Sequence, residues 1–247
     1  NASVLLGTGG SASTVKFAAK QDFSTGKSGS NPYSVTLGDV NGDGKLDIVT
    51  ANYDVDNASV LLGNGNGTFQ NYKTFATGNA PSSATLGDVN GDGKLDIVTA
   101  NYQSYDASVL LGNGDGTFQS QQNFAMNDAP YSVTLGDVNG DGKLDIVTAN
   151  RRSYNTSVLL GNGNGTFQSQ QTFATDTKPY GVTLGDVNGD GKLDIVTVNY
   201  DNTTNTSNTS VLLGNGDGTF QGQQTFATGS GPYGVTLGDV DGDGKLD

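Results

Sequence analysis

Short oxygen-rich segments recur along the 247-residue chain and carry residue types that bind hard cations. The first is DVNGDGKLD at residues 39–47, and Gly44 stands at its sixth position, where a tight loop must turn sharply. Its oxygen donors at positions 1, 3, 5, 7 and 9 would be Asp39, Asn41, Asp43, the carbonyl of Lys45, and Asp47. Ca²⁺ accepts about six to eight oxygens from carboxylates, amides and the backbone, so this spacing predicts a calcium loop.

Four further copies repeat these donors at the same spacing. They are Asp88, Asn90, Asp92, Lys94 and Asp96; Asp137, Asn139, Asp141, Lys143 and Asp145; Asp186, Asn188, Asp190, Lys192 and Asp194; and Asp239, Asp241, Asp243, Lys245 and Asp247. The alternative is that these segments are plain Asn-Gly and Asp-Gly turns whose acids face water. Clustered carboxylates repel one another, and the repetition therefore favours about five Ca²⁺ ions, one per loop. Mg²⁺ is disfavoured because it prefers rigid, water-rich octahedral sites.

The composition excludes several other kinds of chemistry. The chain has no His and no Cys, which removes imidazole catalysis, thiolate chemistry, disulfides and the usual zinc sites. All 25 acidic residues are Asp, and the net charge of −13 argues against a nucleic-acid partner. No apolar run is long enough to predict insertion into a membrane. No unrepeated carboxylate cluster suggests an acid–base pair, so we expect the protein not to be an enzyme.

Aromatic and basic residues recur in phase with the loops and are candidates for ligand contacts. Tyr53, Tyr102 and Tyr200 follow the predicted second strand of their repeats. Arg151 stands at the equivalent position of another repeat and is followed by Arg152. Such side chains at strand ends can stack on sugar rings or anchor a protein partner. The alternative is that the tyrosines pack between repeats with their hydroxyl groups in water.

A second glycine-rich segment, GNGNGTF at residues 63–69, also recurs. Only Asp115 and Asp217 bring charge to its copies, so a hairpin is favoured over a second metal site. Two sets of phenylalanines in phase are predicted to pack between repeats. They are Phe69, Phe118, Phe167 and Phe220, and Phe75, Phe124, Phe173 and Phe226.

The elements that position these residues form an array of repeats. The acidic loops begin at residues 39, 88, 137, 186 and 239, which gives a period of 49 residues with one longer interval. Each repeat contains four short β-rich segments separated by Gly, Asn and Asp turns, and none shows a helical period. The fold class is therefore predicted as all-β, a β-propeller with four-stranded blades. A β-solenoid is the alternative, although its rungs are usually shorter.

The repeat boundaries predict a single propeller domain over residues 1–247. The predicted units are 31–79, 80–128, 129–177 and 178–230, with partial units at 1–30 and 231–247. The two partial units could complete one closing blade between them, so that about five repeats form the ring. The alternative is that the chain is part of a longer array that forms a larger ring.

The segments GDVNGDGKLDIVTAN and SVLLGNGDGTFQ resemble the FG-GAP/VCBS repeats of β-propellers, including those of integrin α chains. This resemblance covers nearly the whole chain. It implies a bladed propeller with calcium in the loop between the first two strands, and an extracellular or periplasmic location.

These observations together predict a secreted or cell-surface, calcium-binding propeller that acts as a non-catalytic binding or adhesion module. Its partner would be a glycan or an extracellular protein, and repeated equivalent sites would suit a multivalent lectin. The alternatives are a structural repeat protein that self-assembles in an extracellular filament and, less favoured, an enzyme acting on polysaccharide.

Overall fold

The computed structural model describes residues 1–10, 14–126 and 128–247. In these residues the protein is built from β-strands, with one turn of 3₁₀ helix at Tyr53–Val55. This confirms the predicted all-β class. No helix in the described ranges is both long and apolar enough to cross a bilayer.

Four antiparallel sheets of four strands each follow one another along the chain, one per sequence repeat. Sheet 1 contains β5 (Pro32–Gly38), β6 (Asp47–Asn52), β7 (Asn57–Leu61) and β8 (Lys73–Ala76). Sheet 2 contains β9 (Pro81–Gly87), β10 (Asp96–Asn101), β11 (Asp106–Leu110) and β12 (Gln122–Ala125). Sheet 3 contains β13 (Pro130–Gly136), β14 (Asp145–Asn150), β15 (Asn155–Leu159) and β16 (Gln171–Ala174). Sheet 4 contains β17 (Pro179–Gly185), β18 (Asp194–Asp201), β19 (Thr206–Leu212) and β20 (Gln224–Ala227).

Each sheet is a meander in which every strand pairs with its neighbours in the sequence. The second strand lies inside the sheet, and all six residues of β10 are buried. This matches its sequence DIVTAN, since β-branched residues suit a strand that is covered on both faces. The fourth strand is an exposed edge, and in β12 only Phe124 is partly buried.

The hydrophobic core lies between consecutive sheets. Val98 and Val109 of sheet 2 belong to the same buried cluster as Val133, Ile146 and Leu159 of sheet 3. The first strands β5, β9, β13 and β17 contact one another in order. The sheets are therefore arranged like the blades of a propeller, with their first strands together on the inner side.

A glycine at the end of each first strand allows the next sheet to approach closely. A Cβ atom on Gly87 would lie 2.7 Å from Leu135 Cδ1 and 2.8 Å from Leu144 Cδ1 of the following sheet. The outer part of the same boundary is closed by Phe124 and Phe167, whose rings meet edge to face at 5.2 Å. Equivalent ring pairs at the other boundaries confirm the predicted packing for seven of the eight phenylalanines. The prediction is wrong for Phe226, which is 53% exposed and has no aromatic partner in the described residues, because no further sheet follows β20.

The two ends of the chain form smaller units. β1 (Ala2–Val4) pairs with β4 (Gln21–Phe23), and β2 (Gly7–Gly9) pairs with β3 (Lys16–Phe17). Residues 228–247 contain no strand, and in the described residues no strand pairing joins them to the N-terminal sheets. The four-stranded sheets are thus established, whereas a shared closing blade and a ring of five remain predictions.

Candidate functional site

The acidic loops connect the first and second strands of each sheet, and in the first copy the chain wraps around Asp39. Its Oδ1 accepts hydrogen bonds from the amides of Gly42 (2.8 Å) and Asp43 (3.1 Å), and its Oδ2 accepts one from Gly44 (2.7 Å). Gly42 and Gly44 have φ angles of 72° and 79°, a conformation that favours glycine. The other four loops repeat these bonds. Side-chain oxygens and glycines together therefore define the loop shape.

The aspartate at position 5 contacts the lysine at position 7. In the first loop Lys45 donates its amide N–H to Asp43 Oδ1 at 3.0 Å and places its ammonium 3.0 Å from Oδ2. The ammonium holds the pKa of the Asp43 carboxyl below its ordinary value. The same ion pair recurs in the other loops at 3.2 to 4.0 Å. The sequence suggested Lys45 only as a carbonyl donor, and its pairing with Asp43 is an additional role.

The aspartate at position 9 is fully buried in the four complete sheets. Asp47 accepts hydrogen bonds from the Val40 amide on Oδ2 (2.9 Å) and from the Gly63 amide on Oδ1 (2.7 Å). It therefore connects the acidic loop to the glycine-rich hairpin that follows the third strand. Burial raises the pKa of Asp47, and the two amide groups act in the opposite direction. Burial also raises the pKa values of Asp96 and Asp145.

The predicted ligand positions 1, 3 and 9 come together in the last loop. One carboxylate oxygen from each of Asp239, Asp241 and Asp247 lies within 4.8 Å of the others. A carboxylate offers about four lone-pair sites, so an oxygen that accepts one amide bond retains capacity for a cation. The donor set is composed only of oxygens, which fits Ca²⁺ by chemistry. Of the predicted donors, the position-5 carboxylate is the one that lysine already neutralises.

The glycine-rich segment at residues 63–69 forms the predicted hairpin, with a bridge between Gly63 and Phe69. Asn66 Oδ1 accepts hydrogen bonds from the Thr68 amide and hydroxyl group at 3.1 and 2.6 Å. Asp115 makes the same bonds to Thr117 in the second copy. The uncharged Asn66 and the charged Asp115 thus accept the same two hydrogen bonds, so the hairpin does not require a charge at this position.

Seven of the ten tyrosines form a continuous group, which we call the central tyrosine cluster. Its members are Tyr33, Tyr53, Tyr102, Tyr131, Tyr180, Tyr200 and Tyr233. Each ring contacts the next, at distances from 4.4 Å for the stacked pair Tyr33 and Tyr53 to 6.5 Å for Tyr53 and Tyr102. The cluster unites the three predicted tyrosines with a second set, the tyrosines that follow proline at the start of the first strands. The repeat period of the sequence reveals both sets of tyrosines. The contact between the two sets could not be predicted, because it arises only when the sheets pack side by side.

The two arginines of the chain lie at this cluster. Arg151 places its guanidinium carbon 4.6 Å from the ring centre of Tyr180 and 5.7 Å from that of Tyr131. Arg152 instead reaches the preceding sheet, where it donates to the hydroxyl groups of Tyr102 (3.0 Å) and Tyr105 (2.9 Å). In the described residues neither guanidinium has a carboxylate within 4 Å.

A buried asparagine fixes the backbone directly before each predicted Tyr or Arg position. In sheet 3, Asn150 is fully buried and donates to Asn155 Oδ1 (2.7 Å) and Ser157 Oγ (2.6 Å). The next amide, that of Arg151, donates to the Ala129 carbonyl at 3.1 Å. Asn52, Asn101 and Asn199 stand at the equivalent places. Sequence reasoning missed these residues, although their place in the repeated DIVTAN and DIVTVN segments marks them.

A cavity of about 310 Å³ opens beside the central tyrosine cluster, and we call it the central cavity. Its lining comes from the first strands of all four sheets and from Tyr233. The residues concerned are Tyr33, Ser34, Ser82, Ser83, Tyr131, Ser132, Tyr180 and Tyr233. Tyr33 and Tyr233 are 48% and 59% exposed, whereas Tyr102 and Tyr180 are largely buried. None of the five predicted contact residues is among the lining residues of this cavity. Tyr102 is buried and Arg152 is exposed, and the other three, Tyr53, Arg151 and Tyr200, are half-buried.

Comparison with known families identifies the repeat. Residues 39–99, 88–148, 137–197 and 198–247 each match the FG-GAP-like repeat. The chain belongs to the FG-GAP-like repeat family. The repeats of this chain correspond to the acidic loops and the four-stranded sheets described above. Among curated proteins, no significant sequence match was found.

Solved structures share the fold of this FG-GAP-like repeat protein. A lectin of Agrocybe aegerita that recognises non-reducing terminal N-acetylglucosamine is 26% identical, with a TM-score of 0.54 over 78% of this chain. The match covers 51% of the lectin, so the chain spans about half of its length. A Bacteroides uniformis protein provisionally named a 6-phosphogluconolactonase is 15% identical, with a TM-score of 0.68 over 94% of this chain and 66% of its own. This second likeness concerns the fold alone.

Proposed function

We propose that this protein is a non-catalytic binding module, stabilised by calcium, whose ligand is a glycan. One observation carries the proposal: tyrosines and serines from the first strands of all four sheets line one cavity, and Arg151 lies against two of those tyrosines. Aromatic rings with nearby hydroxyl groups are suited to sugars, which present apolar ring faces edged by hydroxyls. The similarity to a glycan-recognising lectin supports the same ligand class.

Calcium is the second part of the proposal. The oxygens at positions 1, 3, 5 and 9 of each loop, with the position-7 carbonyl, would hold the ion. When bound, it would neutralise the carboxylates that the loop brings together. The chain's own residues already shape the loop, since Asp39 gathers three backbone amides and Asp47 connects the loop to the next hairpin. The ion would therefore stabilise a preformed turn.

An extracellular location follows from this calcium chemistry. Extracellular modules bind Ca²⁺ with dissociation constants of about 10⁻⁴–10⁻³ M, which extracellular calcium saturates and cytosolic calcium does not. We propose a secreted or cell-surface protein.

A structural role in an extracellular assembly is the second candidate. One apolar face supports it, because Val35 and Leu37 of β5 are 60% and 55% exposed. In the next two repeats, the residues equivalent to Leu37 are Leu86 and Leu135, which are partly buried against the adjacent sheet. Light scattering that reports particles larger than a monomer would favour this role.

A glycan array in millimolar calcium tests the main proposal. The intact protein should bind a restricted set of glycans, and addition of EGTA should reduce the signal as the sheets lose stability. The matched control is the Asp115→Asn variant, since Asn occupies the same hairpin position in two other repeats. It should bind as the parent does. If the folded protein binds no glycan on the array, the glycan proposal is wrong, and protein adhesion or self-assembly becomes the favoured function.

A further inference from the structure

The central cavity lies beside an arginine in a strongly acidic protein. The net charge of the chain is −13, yet no acidic side chain lines this cavity in the described residues. Arg151 lies against Tyr131 and Tyr180, two of the lining residues. An anionic group on a ligand would therefore meet a guanidinium beside the cavity and no carboxylate in its lining.

The basic residues nearby differ in their availability. Arg152 is engaged by the hydroxyl groups of Tyr102 and Tyr105. Lys178 is paired with Asp201 at 2.6 Å, and this bond holds the pKa of Asp201 well below its ordinary value. Arg151 lies against the rings of Tyr102, Tyr131 and Tyr180 and hydrogen-bonds the Tyr180 side chain. In the described residues no carboxylate lies within 4 Å of it, so its remaining N–H groups retain the capacity to bind a carboxylate.

Neutral groups around the cavity suit a hydroxyl-rich ligand. Ser34 Oγ accepts a hydrogen bond from the Ala84 amide at 3.2 Å, and Ser83 Oγ accepts one from the Val133 amide at 3.3 Å. In the described residues neither hydroxyl donates, which leaves each a hydrogen for an oxygen of the ligand. Ser82 replaces the tyrosine of the other repeats and so opens the lining on that side.

We propose that the central cavity binds a carboxylate-bearing sugar, with Arg151 at the carboxylate and Tyr33 and Tyr233 as stacking faces for the sugar ring. The volume of about 310 Å³ accommodates one or two sugar residues. This inference rests on the proposed glycan-binding function and specifies its ligand. An acidic peptide would also satisfy the arginine, but it makes less use of paired ring faces and serine hydroxyls.

Isothermal titration calorimetry in millimolar calcium with two probes tests the charge. The probes are tri-galacturonic acid and its fully methyl-esterified form, which has nearly the same shape and no charge. The acid should bind at least about tenfold more tightly than the ester, since hydrogen bonds to charged groups are the stronger ones. Binding of the acid should also weaken as salt is raised.

Two substitutions assign the site. Arg151→Gln should weaken binding of the acid about tenfold or more and leave the ester unchanged, whereas Lys73→Gln, the same charge change on the outer strand β8, should alter neither. If Arg151→Gln does not fold by circular dichroism, Tyr33→Ala at the exposed edge of the cluster replaces it, with weaker binding of both probes expected.

Three results would overturn the inference. One is equal affinity for acid and ester; another is an affinity that Arg151→Gln and Tyr33→Ala leave unchanged. The third is binding of a glutamate-rich peptide through Arg151 without binding of the sugar acid. Selective signals on the glycan array would still uphold the proposed function in the first two cases, so the failures of the two proposals are distinguishable.

Discussion

A single buried aspartate holds two loops of each sheet together. Asp96 is fully buried and accepts hydrogen bonds from the amides of Val89 (2.9 Å) and Gly112 (2.7 Å). These amides belong to the acidic loop and to the glycine-rich hairpin. A buried donor without a partner costs more than its hydrogen bond contributes, because its desolvation is then not compensated. The carboxylate at position 9 is therefore structural whether or not a cation is bound.

Replacing this carboxylate should be costly. We expect Asp96→Ala to lower the free energy of unfolding by about 2–4 kcal/mol, since two buried amides lose their acceptor. Urea unfolding followed by circular dichroism in the presence of EGTA measures this cost without the contribution of calcium. Asp115→Asn is the matched control and should stay within about 0.5 kcal/mol of the parent. Equal stability of both variants would show that the two amides have other acceptors.

The central tyrosines should resist ionisation. Burial raises the pKa values of Tyr131 and Tyr180, while Arg151 acts in the opposite direction. A raised pKa in the folded state contributes stability that is fully present below the unfolded value near about 10 and is lost as the pH rises through the folded value. We expect a late phase in tyrosinate absorbance at 295 nm and a falling melting temperature in the same pH range.

The Tyr180→Phe variant assigns this late phase. In this variant the amplitude of the late phase should decrease by the absorbance of one tyrosinate, while the earlier phase keeps its amplitude. A single transition of all tyrosines near pH 10 would contradict the expected burial effect.

At the scale of elements, the sheets and their boundaries depend on glycines that cannot be enlarged. A Cβ on Gly112 would lie 2.2 Å from the backbone carbonyl oxygen of Leu95. The loop before β10 and the hairpin after β11 thus approach more closely than any side chain permits. Gly222 differs, because a Cβ there would meet nothing within 4 Å.

These two glycines provide a matched pair of substitutions. Gly112→Ala should lower the free energy of unfolding by about 1–3 kcal/mol, since the backbone of Leu95 must move to admit the methyl group. Gly222→Ala should change it by no more than about 0.5 kcal/mol. Denaturant midpoints at equal calcium concentration give both values. An unchanged midpoint for Gly112→Ala would mean that the hairpin is looser than its contacts indicate.

The sequence predicts the elements well because their causes are local. Asn, Asp and Gly turns and β-branched runs recur with the period of the repeat, and each repeat forms one sheet. It predicts the site only in part. The convergence of Tyr33 with Tyr53, and the pairing of Lys45 with Asp43, depend on side-chain directions that appear only when strands and sheets are assembled.

At the scale of the whole molecule, stability should depend on calcium. With a dissociation constant of about 0.1 mM and about 2 mM calcium, each loop would contribute about 1.8 kcal/mol, and five loops about 9 kcal/mol. Excess EGTA should therefore lower the melting temperature by more than about 10 °C. Calcium should restore it better than magnesium does.

A calorimetric scan with and without EGTA measures this effect. An unchanged melting temperature would contradict the calcium proposal and favour plain turns held by their own amide bonds. Asp239 and Asp241 converge with Asp247 in the last loop. Replacing Asp239 and Asp241 by Asn should therefore remove the stabilisation that calcium provides at one loop, about one fifth of the total effect of EGTA.

The boundary between sheets has the same design at every position. Gly38, Gly87 and Gly136 each admit two leucines of the following sheet, and Gly185 admits two leucines of the C-terminal segment. Nothing in this contact distinguishes one neighbour from another. During folding, therefore, a sheet can dock on the wrong partner, and a chain can enclose a non-native order of sheets that must come apart before the native one forms. Because the boundary contacts are so similar, misdocked sheets act as kinetic traps during folding. The refolding yield should therefore depend on competition among the equivalent boundary surfaces of the sheets.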